Sequence, residues 1–287
     1  MKTMKLIIIL TAVALISGCT INKDKEYGPV NNDGYSLIEA NLQNLLFGEG
    51  ERTWPKGASI GVYGSEQGEN EAYSIKKAGA GLKTAEFYGP LVKGDVAAYY
   101  PYNQSYVADL NAMPASLSAE QVYNVDPVKQ FLDYTPMAYA RMQDGKLKFY
   151  YPNGLIRIKV NTQLPIKVLN IKLSSETAHL SGNGVIDAEG TFHMTENSYK
   201  YVTLDCMPGI TSQVNDQLTD YYLVVVPGTY DNMKLSLYID GYVDPFECNL
   251  QNITVESFSA YDYTMTAVEF TPSDLDGFTE KDEQFDK

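Results

Sequence analysis

Lys146-Leu147-Lys148-Phe149-Tyr150-Tyr151-Pro152-Asn153-Gly154-Leu155-Ile156-Arg157-Ile158-Lys159-Val160 is the stretch on which the fold reading turns. On both sides of Pro152-Asn153-Gly154, apolar and charged residues alternate with a period of two. That period marks a strand with one face in a core and the other in water. Two such runs about a Pro-Asn-Gly turn predict a β-hairpin.

The same grammar continues outward in both directions. Ser59-Ile60-Gly61-Val62-Tyr63 is closed by Gly64, and Asp95-Val96-Ala97-Ala98-Tyr99-Tyr100 ends at Pro101. On the other side, Ile166 to Leu173 alternates, Tyr221 to Val226 stops at Pro227-Gly228, and Lys234 to Ile239 stops at Asp240-Gly241. Tyr261 to Phe270 reads as the last strand. Short strands at spacings of roughly 8–12 residues, with turn residues between them, predict an all-β sandwich architecture. Asn161-Thr162-Gln163-Leu164-Pro165 breaks the series, so the expected layout is two tandem β-sandwiches, 53–164 and 165–287. The second of these ends in an acidic tail from Thr271 to Lys287 that is too poor in apolar groups to pack. Residues 35–47 stay open between two readings. Ile38, Leu42, Leu45 and Leu46 suit a helical face, while Leu37-Ile38 and Leu45-Leu46-Phe47 equally suit a strand.

The N-terminus carries a different signal. Lys2 and Lys5 precede the apolar run Leu6 to Ile16, which is followed by Ser17, Gly18 and Cys19. Charge, apolar core and small residues in that order make 1–18 a secretory signal peptide, with a core shorter than the roughly 20 residues a spanning helix needs. Ile16-Ser17-Gly18-Cys19 resembles the lipobox of bacterial lipoproteins, which implies cleavage before Cys19 and a covalent lipid on it. Two or more acyl chains hold a protein firmly at a membrane. Residues 20–34 are polar and read as a tether, so 19–52 is the lipidated lead into the folded part. The charged run Lys23-Asp24-Lys25-Glu26 is similar to the surface-export signals of Bacteroides-group lipoproteins, and places the chain on the outer face of the outer membrane.

Composition closes off several classes. Lys and Arg total 22 against 36 Asp and Glu, a formal charge of −14. Nucleic acid and anionic lipid both require a basic face, so neither is an expected partner. The only histidines are His179 and His193, and neither stands in a nucleophile-elbow or related motif. Those two with Cys206 and Cys248 lack the close ligand pairs of a structural zinc site. Asp187-Ala188-Glu189-Gly190 and Asp240-Gly241 read as turns rather than as a glycosidase pair. The expectation is a protein that is not an enzyme and has no metal and no cofactor beyond the lipid on Cys19. With Cys19 lipidated, Cys206 and Cys248 are an even pair in an oxidising compartment, either disulfide-bonded or buried as thiols. Tyrosine is abundant at 23, against the single Trp54; it serves strands and also sugar-binding surfaces.

Trp54-Pro55-Lys56-Gly57-Ala58-Ser59-Ile60-Gly61-Val62-Tyr63 resembles the opening of the fimbrillin-like proteins, which include major and accessory subunits of type V pili in the Bacteroides group. Gly94 to Tyr102, with its Tyr-Tyr-Pro-Tyr, is similar to a strand end of that family. Asp133 to Ala140 and Phe149 to Val160 are similar to its central strands. Ser181 to Asp187 and Val226 to Tyr230 fit its second domain. The resemblance implies two transthyretin-like β-sandwiches and a place in a surface fimbrium. It also implies assembly with other pilus subunits by β-strand addition, after a cut behind a basic residue removes an N-terminal strand. Arg52 is the candidate for that cut, since Arg141 and Arg157 fall inside expected strands, and 19–52 then includes the removable segment. The tail offers only Leu275, Phe278 and Phe285 among acids, which favours a tip, anchor or accessory subunit over a shaft subunit. The rival reading is a monomeric surface lipoprotein that binds host or bacterial glycans, or proteins, through tyrosines and Trp54.

Overall fold

The computed structural model describes residues 34–45, 51–66, 68–106, 109, 112–135, 137–161, 165–187, 191–212, 218–257 and 260–266. Cys19, the signal peptide, the tether before Gly34 and the acidic tail lie outside them. In chain order the elements begin with β1 (Tyr35–Leu42), β2 (Ser59–Gly64), β3 (Glu71–Ile75), β4 (Thr84–Pro90) and β5 (Val96–Tyr100). Next come β6 (Met113–Leu117), β7 (Glu120–Val122), α1 (Pro127–Tyr134), β8 (Ala138–Gln143), β9 (Lys146–Phe149) and β10 (Gly154–Asn161). The rest are β11 (Lys167–Ser174), β12 (Ser181–Ile186), β13 (Phe192–Tyr199) and β14 (Tyr201–Thr211), then β15 (Thr219–Val225), β16 (Gly228–Ile239), β17 (Phe246–Val255) and β18 (Ala260–Thr266). The chain is all-β, as its alternation predicts.

The first strands form a closed barrel in the order β1-β4-β3-β2-β5-β8-β9. It closes because β1 pairs antiparallel with β4 on one flank and parallel with β9 on the other. Closure removes free edges, where an open sandwich would leave them. The strand that achieves it lies N-terminal to the expected 53–164 unit.

The remaining strands make a five-stranded sheet, β17-β16-β11-β14-β7, and a three-stranded one, β15-β10-β18. Both contribute to one core that includes Ile158, Ile171, Leu204, Leu223 and Leu235. A second three-stranded sheet has the order β13-β12-β6. The expected boundary at 164/165 is therefore not the one the sheets follow. β10 pairs with β15 and β18, while β6 and β7 pair with β12 and β14.

β15 explains an uninterrupted apolar run in the sequence. Tyr221, Leu223 and Val225 belong to the second core, whereas Tyr222, Val224 and Val226 pack into the barrel's core. A strand buried on both faces has no polar side to show. The buried amide of Gln121 engages Val224 on both sides, donating to its carbonyl at 2.8 Å and accepting from its N–H at 2.9 Å.

The expected hairpin across Pro152-Asn153-Gly154 does not form, and β9 and β10 go to different sheets. A stronger turn lies just upstream. Asp144 and Gly145 have φ of 50° and 77°, the double left-handed conformation of a type I′ turn, and they pair Gln143 with Lys146. β9 thus spends one edge on β8 and the other on β1. The Pro-Asn-Gly segment becomes a crossing between sheets, in which buried Asn153 donates from Nδ2 to Thr135 Oγ1 at 3.3 Å. The helix α1 was not expected. Asp126 caps it by accepting from the Val128 and Lys129 N–H groups, and Pro127 stands in its first turn, where no N–H partner is needed.

Candidate functional site

β1 and the arm that follows it form the site. Along β1, Ser36, Ile38, Ala40 and Leu42 are buried and the intervening residues are not, so the segment is a strand and not the helix its apolar spacing also allowed. Two of the inward positions are small or polar, and each has a structural partner. The Ser36 hydroxyl meets Tyr73 Oη at 2.9 Å, and Tyr73 in turn donates to the Pro90 carbonyl. Ala40 leaves room for Trp54, whose Nε1 donates to the Ala40 carbonyl at 3.3 Å. On the outer face Glu39 pairs with Lys146 of β9 at 2.8 Å.

Trp54 is fully buried, packed edge-on against Phe87, Tyr100 and Phe149 at centroid distances of 4.8, 5.2 and 5.3 Å. Its backbone is tied to the loop before β4 through Leu82 and Gly81. Trp54 thus belongs to the body of the barrel while gripping β1 from inside, and it offers no face to a sugar.

Arg52 lies two residues before Trp54 and is half-buried. Its N–H donates to Asn44 Oδ1 at 3.0 Å, and its Nη2 donates to Tyr151 Oη at 2.9 Å. The guanidinium also stands over the Tyr151 ring, 5.5 Å from the centroid. Burial raises the Tyr151 hydroxyl above its ordinary pKa, and the Arg52 charge opposes that rise. A break of the chain after Arg52 would leave Trp54 in the barrel and free β1 at its C-terminal end. What would then hold β1 is its two ladders, the burial of Ile38 and Leu42, each contributing roughly 1.5–3 kcal/mol, and the side-chain ties at Ser36, Glu39, Ala40 and Arg52. Its departure would open a groove between β4 and β9 with unpaired backbone groups on both walls.

Sequence reasoning singled out Arg52 and Trp54 but missed Tyr151 and Tyr73. Both sit far along the chain from the groups they bind, where no local pattern points to them. Cys19 lies outside the described residues. Cys206 and Cys248 are not disulfide-bonded. They lie on β14 and β17 with β11 and β16 between them, and three strand spacings of about 4.8 Å exceed a disulfide's reach. Cys206 is buried, and burial pushes its thiol up to about 12, so it stays protonated. His179 Nδ1 meets Ser198 Oγ at 2.7 Å, and His193 pairs with Asp187, all at the surface and in separate pairs. Among the described residues no group of three or more His, Cys, Asp or Glu is placed to hold a metal ion, and no helix is long and apolar enough to cross a membrane.

No protein-family model and no curated protein matches this chain. Solved structures do. A candidate cell adhesion protein from Bacteroides ovatus matches with a TM-score of 0.52 at 13% identity, over 86% of this chain and 95% of that one. A second candidate cell adhesion protein, from Bacteroides uniformis, gives a TM-score of 0.49 at 16% identity, over 83% and 95%. The C-terminally truncated tip fimbrial protein Mfa3 from Porphyromonas gingivalis gives 0.42 at 13% identity, over 83% and 96%. At such identities the likeness is one of fold, and the fold is that of the Bacteroides ovatus candidate cell adhesion protein.

Proposed function

We propose that this chain is a structural or adhesive subunit of a surface fimbrium, anchored in the outer membrane by a lipid on Cys19 and readied for assembly by release of β1. The observation that carries the reading is β1 itself. It is an N-terminal strand inserted between two others, closing a barrel whose remaining strands follow a separate arm, and Arg52 sits in that arm just ahead of the anchoring Trp54. The shared fold with a candidate cell adhesion protein supports it. A strand from another subunit would enter the vacated groove, gaining backbone hydrogen bonds on both flanks and setting its register with alternate side chains. The acidic composition of the tail makes a tip, anchor or accessory position the better reading than a shaft position. The protein acts by binding and not by catalysis.

The test treats a soluble form lacking residues 1–19 with an arginine-specific protease and follows mass and oligomeric size together. A cut after Arg52 followed by ladders or filaments establishes strand exchange. A cut without self-assembly, with filaments forming once a shaft subunit is added, assigns the accessory role. Resistance at Arg52 in a protein that stays monomeric removes the proposal.

A further inference from the structure

A cleft that shares no residue with β1 runs between β6–β7 and the β12–β13 hairpin. Its volume is about 420 Å³, within the range of roughly 300–1,000 Å³ typical of small-molecule sites. Ser116 of β6 and Asn183 of β12, which line it, are register partners. Tyr199 and Tyr201 form one wall, with ring centroids 5.7 Å apart and planes at 60°. The Lys172 ammonium stands over the Tyr201 ring at 5.2 Å, which occupies one of its faces. Tyr199, 49% exposed, keeps an open face.

Three features make this more than an exposed aromatic. The side-chain amides of Asn183 and Asn197, both on the cleft, make no hydrogen bond among the described residues, so donors and acceptors stand ready around the ring. Glu120, at the other rim, is held by the Thr203 hydroxyl. The floor is built for close approach: Gly182 has φ +124°, and a Cβ there would lie 2.5 Å from the Asn197 carbonyl and 2.4 Å from Ser198 Cα. Only glycine lets β13 pass at that distance and hold Asn197 over the cleft.

We propose that this cleft binds a neutral oligosaccharide. A pyranose ring has an apolar C–H face and a rim of hydroxyls that both donate and accept. An open tyrosine face suits the first, and amides, which also both donate and accept, suit the second. Glu120 accepts from a sugar hydroxyl and, with the formal charge of −14, disfavours sialylated or sulfated sugars. The ligand is longer than one ring, because Ser116 and Asn183 also border a neighbouring hollow of about 230 Å³ reaching Tyr106 and Asn153.

The experiment uses the full chain with ¹³C-ring-labelled tyrosine, screened on an array of neutral oligosaccharides and titrated by NMR with N,N′-diacetylchitobiose, lactose and mannobiose. The expected result is saturable movement of the Tyr199 and Tyr201 signals with at least one sugar. Tyr199→Ala and, separately, Asn197→Ala should weaken that binding by about tenfold or more, which is about 1.4 kcal/mol. Tyr199→Phe should hold it within a few-fold, and Tyr88→Ala, at an exposed tyrosine of β4, should leave it unchanged. Both alanine changes are at exposed or half-exposed positions, and unaltered thermal melting shows that the fold persists. Failure of every neutral sugar to bind or to move Tyr199 overturns the proposal. So does binding that survives both alanine changes, or that is stronger for sialylated sugars. None of these outcomes bears on strand release, since β1 takes no part in the cleft.

Discussion

Trp54 joins two parts of the chain by one side chain. Its indole fills the barrel between Phe87, Tyr100 and Phe149 while its N–H reaches a carbonyl of β1. Trp54→Ala leaves a cavity and removes one of the ties to β1, and should cost about 3–5 kcal/mol, measured by urea or thermal unfolding. Trp54→Phe keeps most of the volume and should cost less, with a selective rise in amide exchange along β1. Tyr151 is the second telling residue, because its hydroxyl and ring restrain Arg52. Tyr151→Phe keeps the ring and removes the hydrogen bond. Stability should fall by about 0.5–1.5 kcal/mol. Cleavage after Arg52 by an arginine-specific protease should become faster in a time course followed by mass. An unchanged rate would mean that Tyr151 does not guard the arm.

Among the elements, β10 and β18 show how parallel neighbours are fastened at the surface. Arg157 donates from Nε and Nη2 to the Asp262 carboxylate, and Lys159 Nζ reaches the same group at 2.9 Å. These cations lower the Asp262 pKa from its ordinary value, the Arg157 hydrogen bond being the largest cause. A carboxyl lowered in the folded state adds stability above the unfolded value of about 3.9 and loses it as pH falls through the folded value. The Asp262 side chain is 41% exposed, so solvent screens the pair and its contribution is under about 1 kcal/mol. Asp262→Asn should therefore lower the melting temperature slightly at pH 7, with the difference from wild type shrinking as pH falls below the unfolded value of about 3.9. The reading of individual elements from the sequence has the same local character. β10 and β11 are legible because alternation is written in consecutive residues, and β2 and β5 because short apolar runs end at Gly64 and Pro101. Which strands pair is not legible. Pro152-Asn153-Gly154 looked like the turn, yet Asp144-Gly145 is the one whose backbone twist suits two adjacent strands. β1 hid for a related reason: Ser36 and Ala40 face inward, and only Tyr73 and Trp54, distant in sequence, explain why a hydroxyl and a methyl belong there.

For the whole molecule, tyrosine does the work that leucine and isoleucine do in many cores. Tyr63, Tyr73, Tyr99, Tyr139 and Tyr221 are among its largest fully buried side chains. Burial raises the hydroxyls of Tyr63, Tyr139, Tyr221 and Tyr230 well above the ordinary tyrosine range and pushes Tyr222 up to about 12. A group whose folded pKa is raised leaves stability intact below the unfolded value, near 10, and withdraws it as pH rises from there towards the folded value. The protein should accordingly unfold in alkali in one steep step, with the ultraviolet rise of tyrosinate from the buried set coinciding with the loss of circular dichroism. A gradual rise completed while the dichroism persists would show that the tyrosine core is open to solvent. Arg52 stands out in composition, since arginine is scarce in this chain. The Tyr199 cleft was not legible, because it is assembled from β6, β7, β12, β13 and β14, and no single segment carries its character.

The two-sided pairing of β1 also has a mechanical meaning. A pull on the chain ahead of Tyr35, directed along the strand, loads seven register pairs with β4 and four with β9 side by side, so that they share the force instead of opening one after another. The same strand peeled sideways from its Leu42 end would give way pair by pair. With the arm intact, β1 is therefore a clasp that resists lengthwise tension; a cut behind Arg52 would loosen its far end and make the easy direction of opening available.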